Sequence, residues 1–193
     1  MKSITVFCGS SQGFDPGYMH LAFNLGAYLA ESQIGLVYGG AKIGLMGAVA
    51  DGALSKNGSV IGVIPDFLKT KEVAHEGLTE LIVVESMHVR KLKMAELCDG
   101  VIALPGGFGT MEEYFEMLTW GQLGLHEKPI ALLNTHSFYD PLIQLADAMV
   151  SSGFLKQTNR DLMLSANEIP ALIKLMQSYN PPSITKWLRK GEQ

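Results

Sequence analysis

The chain is poor in cysteine, in net charge and in long apolar runs. Only Cys8 and Cys98 occur among 193 residues, without a CxxC or a Cys/His spacing. A disulfide framework is excluded on that count, and a zinc site is not expected. Fifteen Lys and Arg against 19 Asp and Glu leave a formal net charge of −4. No global basic excess is available for nucleic acid or an anionic membrane surface. The first apolar run, residues 4–8, is too short for the core of a signal peptide and far too short to span a bilayer. A reduced, cytoplasmic protein with no nucleic-acid or membrane partner is expected. Internal repeats and interdomain linkers are also lacking.

What the chain does hold is apolar core and glycine. It is 47% hydrophobic and 18% charged, with 21 glycines, a globular composition rich in tight turns. Its length suits one domain, predicted over residues 1–180, with 181–193 as a terminal tail. Apolar runs at 4–8, 36–38, 60–64, 81–84, 101–104 and 129–133 end in Gly, Ser, Pro or Asn, or run into a polar turn, and alternate with helix-like stretches. The helices are predicted at 16–32, 45–56, 87–97, 111–122, 139–151 and 168–179, the first with Asp15 as N-cap. Strands that are continuously apolar are covered on both faces. The pattern predicts an α/β fold, a Rossmann-like doubly wound parallel sheet, with ligands at the carboxyl ends of the strands. The glycine clusters at 9, 39–40 and 106–109 all follow strands, so one sheet edge carries the site.

Three familiar motifs fail. Gly9-Ser10-Ser11-Gln12-Gly13 spells G-x-S-x-G, but the predicted helix begins several residues later, which denies Ser11 a nucleophile elbow. Gly40-Ala41-Lys42-Ile43-Gly44 lacks the ending of a Walker A loop. Gly107-Phe108-Gly109 begins a dinucleotide fingerprint, but Glu112 stands at the third glycine position.

Pro105-Gly106-Gly107-Phe108-Gly109-Thr110 carries more. Its glycines let backbone N–H groups converge on an anion, and the following helix adds the positive end of its dipole. Thr110 can add a hydroxyl. Glu112 and Glu113 are odd beside an anion, and Thr110-Met111-Glu112-Glu113 also fits a capping box. Met87-His88-Val89-Arg90-Lys91-Leu92-Lys93 gathers three cations at a helix start, against the dipole. These are either the local positive potential an anionic ligand needs or a solvated basic face. His88 reads as a loop histidine.

Taken in order, Phe7-Cys8-Gly9-Ser10-Ser11, Val37-Tyr38-Gly39-Gly40, Gly44-Leu45-Met46-Gly47, Met87-His88-Val89-Arg90-Lys91 and the stretch Pro105 to Glu113 resemble the Lonely Guy family of cytokinin-activating phosphoribohydrolases, with its P-G-G-x-G-T-x-x-E signature. The resemblance runs from about Lys2 to Tyr179. It implies a homodimer that hydrolyses the N-glycosidic bond of a nucleoside 5′-monophosphate, without metal or cofactor. It places the catalytic pair on Arg90 and Glu113. It places substrate contacts on Glu72, Lys91, Gly107, Phe108, Gly109, Thr110, Met111, Glu112 and Thr119, with further loop contacts at Gly9, Ser10, Gly40 and Met87. Ala41 departs from the family, which commonly has a third glycine there. A nucleotide- or cofactor-binding carrier of the same fold would keep the glycines and the basic helix but would not need a carboxylate at 113.

Overall fold

The computed structural model describes residues 1–69 and 74–182. Seven strands form one parallel sheet: β1 (Ser3–Phe7), β2 (Gly35–Tyr38), β3 (Val60–Pro65), β4 (Glu80–Val84), β5 (Gly100–Ala103), β6 (Ile130–Leu133) and β7 (Met163–Ala166). Their spatial order is β4-β3-β2-β1-β5-β6-β7. The chain winds outward from β1 to β4, then crosses back to lay β5 on the other side of β1. Thr5 pairs with Val37 on one flank and with Val101 on the other. The strand order therefore reverses between β1 and β5, and the crevice for a ligand lies beyond their carboxyl ends.

Helices cover both faces, as the unbroken apolar runs require. Ile4, Val6 and Cys8 face α1 (Gly17–Glu31), α2 (Gly44–Ser55) and α7 (Ile169–Gln177). Phe7 faces the layer of α3 (Met87–Glu96), α4 (Phe108–Gln122) and α5 (Asp140–Ser151). Thr5, also on that side, satisfies its buried hydroxyl by donating to the Met94 carbonyl at 2.9 Å. A short helix, α6 (Gln157–Arg160), precedes β7. No helix among the described residues is long and apolar enough to cross a membrane.

The element boundaries differ from expectation in instructive ways. β7 and α6 are additions: β7 is a four-residue edge strand, Met-Leu-Ser-Ala, whose pattern alone announces nothing. Pro16 takes the N-cap position of α1, while Asp15 still accepts the Gly17 N–H at 2.8 Å. α4 begins at Phe108, with Gly107 as an extended N-cap, a turn sooner than predicted. The expected tail falls largely outside the described residues.

Candidate active site

Three glycine loops interlock at the crevice. The Gly9 N–H after β1 donates to the Pro105 carbonyl after β5 at 3.1 Å, and the Leu45 N–H at the head of α2 donates to the Gly9 carbonyl at 3.2 Å. Gly44 has φ +58°, and a Cβ there would meet the Ser10 carbonyl oxygen at 2.2 Å. A Cβ on Gly106 would lie 2.1 Å from the Thr110 hydroxyl. Gly9, Ser10 and the β5 loop are thus brought together, and Thr110, 4% exposed, packs against Gly106. Ser11 sits on the same loop, with α1 starting only at Gly17, so the chain does not form a nucleophile elbow.

Gly107 and Gly109 differ from these packing glycines. Neither has a positive φ, and a Cβ on either would meet nothing within 4 Å. The protein's own packing does not call for glycine at either place. Both border open space at the N-terminus of α4, where unpaired N–H groups and the dipole favour an anion. Phe108 between them is 97% exposed.

The earlier start of α4 removes the capping box. Thr110 is the third helical residue, not the N-cap, and Glu113 is the sixth, too far along to reciprocate. No side chain caps Gly107. Glu113 faces the corner instead. Burial, above all, pushes the Cys8 thiol at the end of β1 far above its ordinary range; the charge of Glu113 adds to this and that of Arg90 opposes it. Both side chains therefore lie within electrostatic reach of one point at the base of the crevice.

Two of the three cations of the basic stretch are buried, and only Lys93 keeps a solvated place. Ser86 caps α3, its hydroxyl accepting the Val89 N–H at 3.2 Å. Arg90 and Lys91 are 5% and 6% exposed, whereas His88 lies on the surface. Arg90 donates from Nη2 to the Gly39 carbonyl at 3.0 Å, and Met87 places its sulfur 3.8 Å from Nη1. A Cβ on Gly39 would lie 2.1 Å from Nη2, so glycine there makes room for the guanidinium. Lys91 turns the other way. Its ammonium contacts Glu112 Oε1 at 2.5 Å and Glu116 Oε2 at 3.0 Å, both on α4. Burial works against its charge, but the hydrogen bonds to Glu112 and Glu116 prevail and raise its pKa. The placing of Glu112 is thus explained: it is a counter-ion of Lys91.

Gly40, at φ +78°, accepts the His75 N–H at 3.0 Å. Ala41 is fully buried and bridges to Ala74. Met111 is half-buried one residue before Glu112. Glu72 lies outside the described residues. Thr119 is not gathered into the corner: it is exposed, donates to the Phe115 carbonyl at 2.8 Å, and stands about 9 Å along the axis of α4 from Glu113. It lines an apolar groove with Phe115, Leu118, Leu142, Leu145 and Met149. Sequence reasoning missed Ser86 and Glu116, and it placed Gly39 on the site's edge without its part in making room for Arg90. The Ser at 86 just before the helix was the one readable signal, as an N-cap.

Comparison with known proteins identifies the family of the chain. Residues 46–176 match the family described as possible lysine decarboxylase. The chain is 48% identical over 178 residues to the cytokinin riboside 5′-monophosphate phosphoribohydrolase of Rhodococcoides fascians, covering 92% of this chain and 90% of that protein. Over 180 residues it is 44% identical to the protein of the same name from Oryza sativa subsp. japonica, covering 93% and 74% respectively. Among solved structures, the molybdenum cofactor binding protein of Rippkaea orientalis superposes with a TM-score of 0.69 at 23% identity, over 92% of this chain and 97% of that one. That likeness concerns the fold alone. The matched segment holds Arg90, Lys91 and the whole Pro105–Glu113 corner, and the chain belongs to the Lonely Guy family, the one described as possible lysine decarboxylase.

Proposed function

We propose that the chain hydrolyses the N-glycosidic bond of a cytokinin-type nucleotide, an N6-modified adenosine 5′-monophosphate, to free base and ribose 5-phosphate. The observation that carries this is the position of Glu113: on the second turn of α4, with no capping role, and within electrostatic reach of the same buried thiol as Arg90. The 5′-phosphate docks at the open gap before α4, next to Gly107 and Gly109, where the helix N-terminus attracts it. The ribose then lies further along, toward Glu113.

Cleavage breaks the bond between the anomeric carbon and the base nitrogen, and the electron pair leaves with the base. Positive charge builds on the anomeric carbon, and a fixed carboxylate stabilises it. Glu113 also takes a proton from the attacking water, whose oxygen bonds to that carbon, and the departing base nitrogen takes up a proton from solvent, to which Glu113 returns its own. Arg90 cannot serve as a general acid, because a guanidinium keeps its proton throughout the pH range in which proteins work. Held by Gly39, it orients the phosphoribosyl group.

The reaction runs in a homodimer in the cytoplasm. The apolar groove between α4 and α5, with Leu145 51% exposed on its rim, supports a second copy there. Thr119 on the same rim would take part through that pairing. Two buried free thiols suit a reducing compartment.

The test is a panel of monophosphates with the purified protein: N6-isopentenyl-AMP, AMP and CMP, each beside its unphosphorylated nucleoside. Free base and ribose 5-phosphate in equal amounts are expected from the modified nucleotide, and none from the nucleosides. Tight nucleotide binding with no released base would mark a carrier of the same fold instead.

A further inference from the structure

Lys91 has two carboxylate partners, and only one of them can yield to a substrate. Glu112 and Glu116 are four residues apart on α4, so their side chains lie one above the other on a single helix face. The Lys91 side chain is 7% exposed, so its stem is enclosed and its ammonium has little freedom to search. Glu112 is 56% exposed and stands four residues, or about 6 Å, past the head of α4. Glu116 is 26% exposed and a turn further from the gap. An arriving phosphate meets Glu112 first and competes with it for the lysine.

We infer that Glu116 is a positioning residue for substrate binding: it holds the Lys91 ammonium in place when Glu112 yields to the phosphate. The inference rests on the proposed nucleotide site and extends it to a residue that neither the glycine motif nor the resemblance assigns. An enclosed lysine needs a fixed counter-charge in both states of the site. Glu112 supplies it in the free protein, and Glu116 supplies it throughout. A cation already held in place binds its ligand without the cost of ordering a flexible chain.

Positioning, repulsion and simple fastening by Glu116 affect KM differently. Glu116→Gln keeps the shape and one acceptor oxygen but weakens the hold on Lys91, and Glu116→Ala removes it. If Glu116 merely repelled the phosphate, both changes would lower KM. If it only fastened α3 to α4, both would leave KM alone and lower the melting temperature. Positioning requires KM to rise about threefold in the Gln variant and about tenfold in the Ala variant, with kcat within about twofold of wild type. The Kd of ribose 5-phosphate, measured by calorimetry, should rise in parallel. With Lys91→Met already in place, Glu116→Gln should no longer change that Kd. An unchanged or lowered Kd in Glu116→Gln overturns the inference. The calorimetry needs no turnover, so a wild-type protein that releases no base would refute the proposed reaction while leaving Glu116 separately tested.

Discussion

Glycine at 109, inside the first turn of α4, is unfavourable where alanine would fit, since the site is neither strained nor crowded. Within a helix, Gly costs about 0.5–1 kcal/mol relative to Ala. Gly109→Ala is therefore expected to leave the fold intact or raise its melting temperature slightly, while nucleotide affinity falls at least about tenfold because a methyl group enters the anion gap. Calorimetric binding beside a thermal melt checks both halves. Gly39→Ala should act differently. Its Cβ would lie 2.1 Å from Arg90 Nη2, so the guanidinium must move, and turnover should fall even where the nucleotide still binds. A kcat loss of about 10²-fold is the expected size for a displaced orienting group. These proposed residue roles were only half legible in the sequence. Glycine runs after strands pointed to a phosphate, but which glycines serve packing and which serve a ligand depends on neighbours remote in the chain.

At the scale of elements, α3 and α4 form one unit. Lys91 reaches from α3 to two carboxylates on α4, and Lys128 donates to the Ala95 carbonyl near the end of α3. His126 closes the far end of α4: its Nε2 bonds the Met117 carbonyl at 3.0 Å, and its Nδ1 accepts the Lys128 N–H at 3.2 Å. That pattern uses the neutral ring, and burial, first of all, lowers its pKa. A histidine depressed in the fold contributes stability above its unfolded value of about 6.5, and that stability is lost as pH falls through the lowered folded value. The melting temperature should drop between pH 7 and pH 5, and His126→Gln should flatten part of that drop. An unaltered pH profile in the variant would show that the titration lies elsewhere. The capping box is the clearest failure of local pattern: Thr110-x-x-Glu113 is present, but Gly107 begins the helix a turn earlier. Extended backbone at 107 suits a loop packed against Gly9, a contact that local sequence does not encode.

Across the whole molecule, the parallel sheet was legible because both faces of each strand are covered, so the apolar runs have no polar alternation. Strand order was not, since it is set by crossovers between distant segments, and the short edge strand β7 has too little pattern to stand out. The meeting of Gly9 with Pro105 across the switch point is likewise a tertiary fact. The proposed dimer belongs to this scale. Leu145 is half exposed on the groove beside α4, so Leu145→Glu should leave each protomer folded while shifting the protein to monomer in sedimentation and lowering turnover. A wild-type protein that already sediments as a monomer would contradict the dimer.

The central claim is that the carboxylate of Glu113 performs chemistry at a glycosidic bond. The most direct test is Glu113→Gln, assayed for free base and ribose 5-phosphate from N6-isopentenyl-AMP, with ribose 5-phosphate binding and a thermal melt measured on the same sample. The expected result is a normal melt, binding within about threefold of wild type, and kcat lower by about 10³-fold, within the range for a lost general base. Turnover near wild type in a folded Glu113→Gln protein would contradict the account.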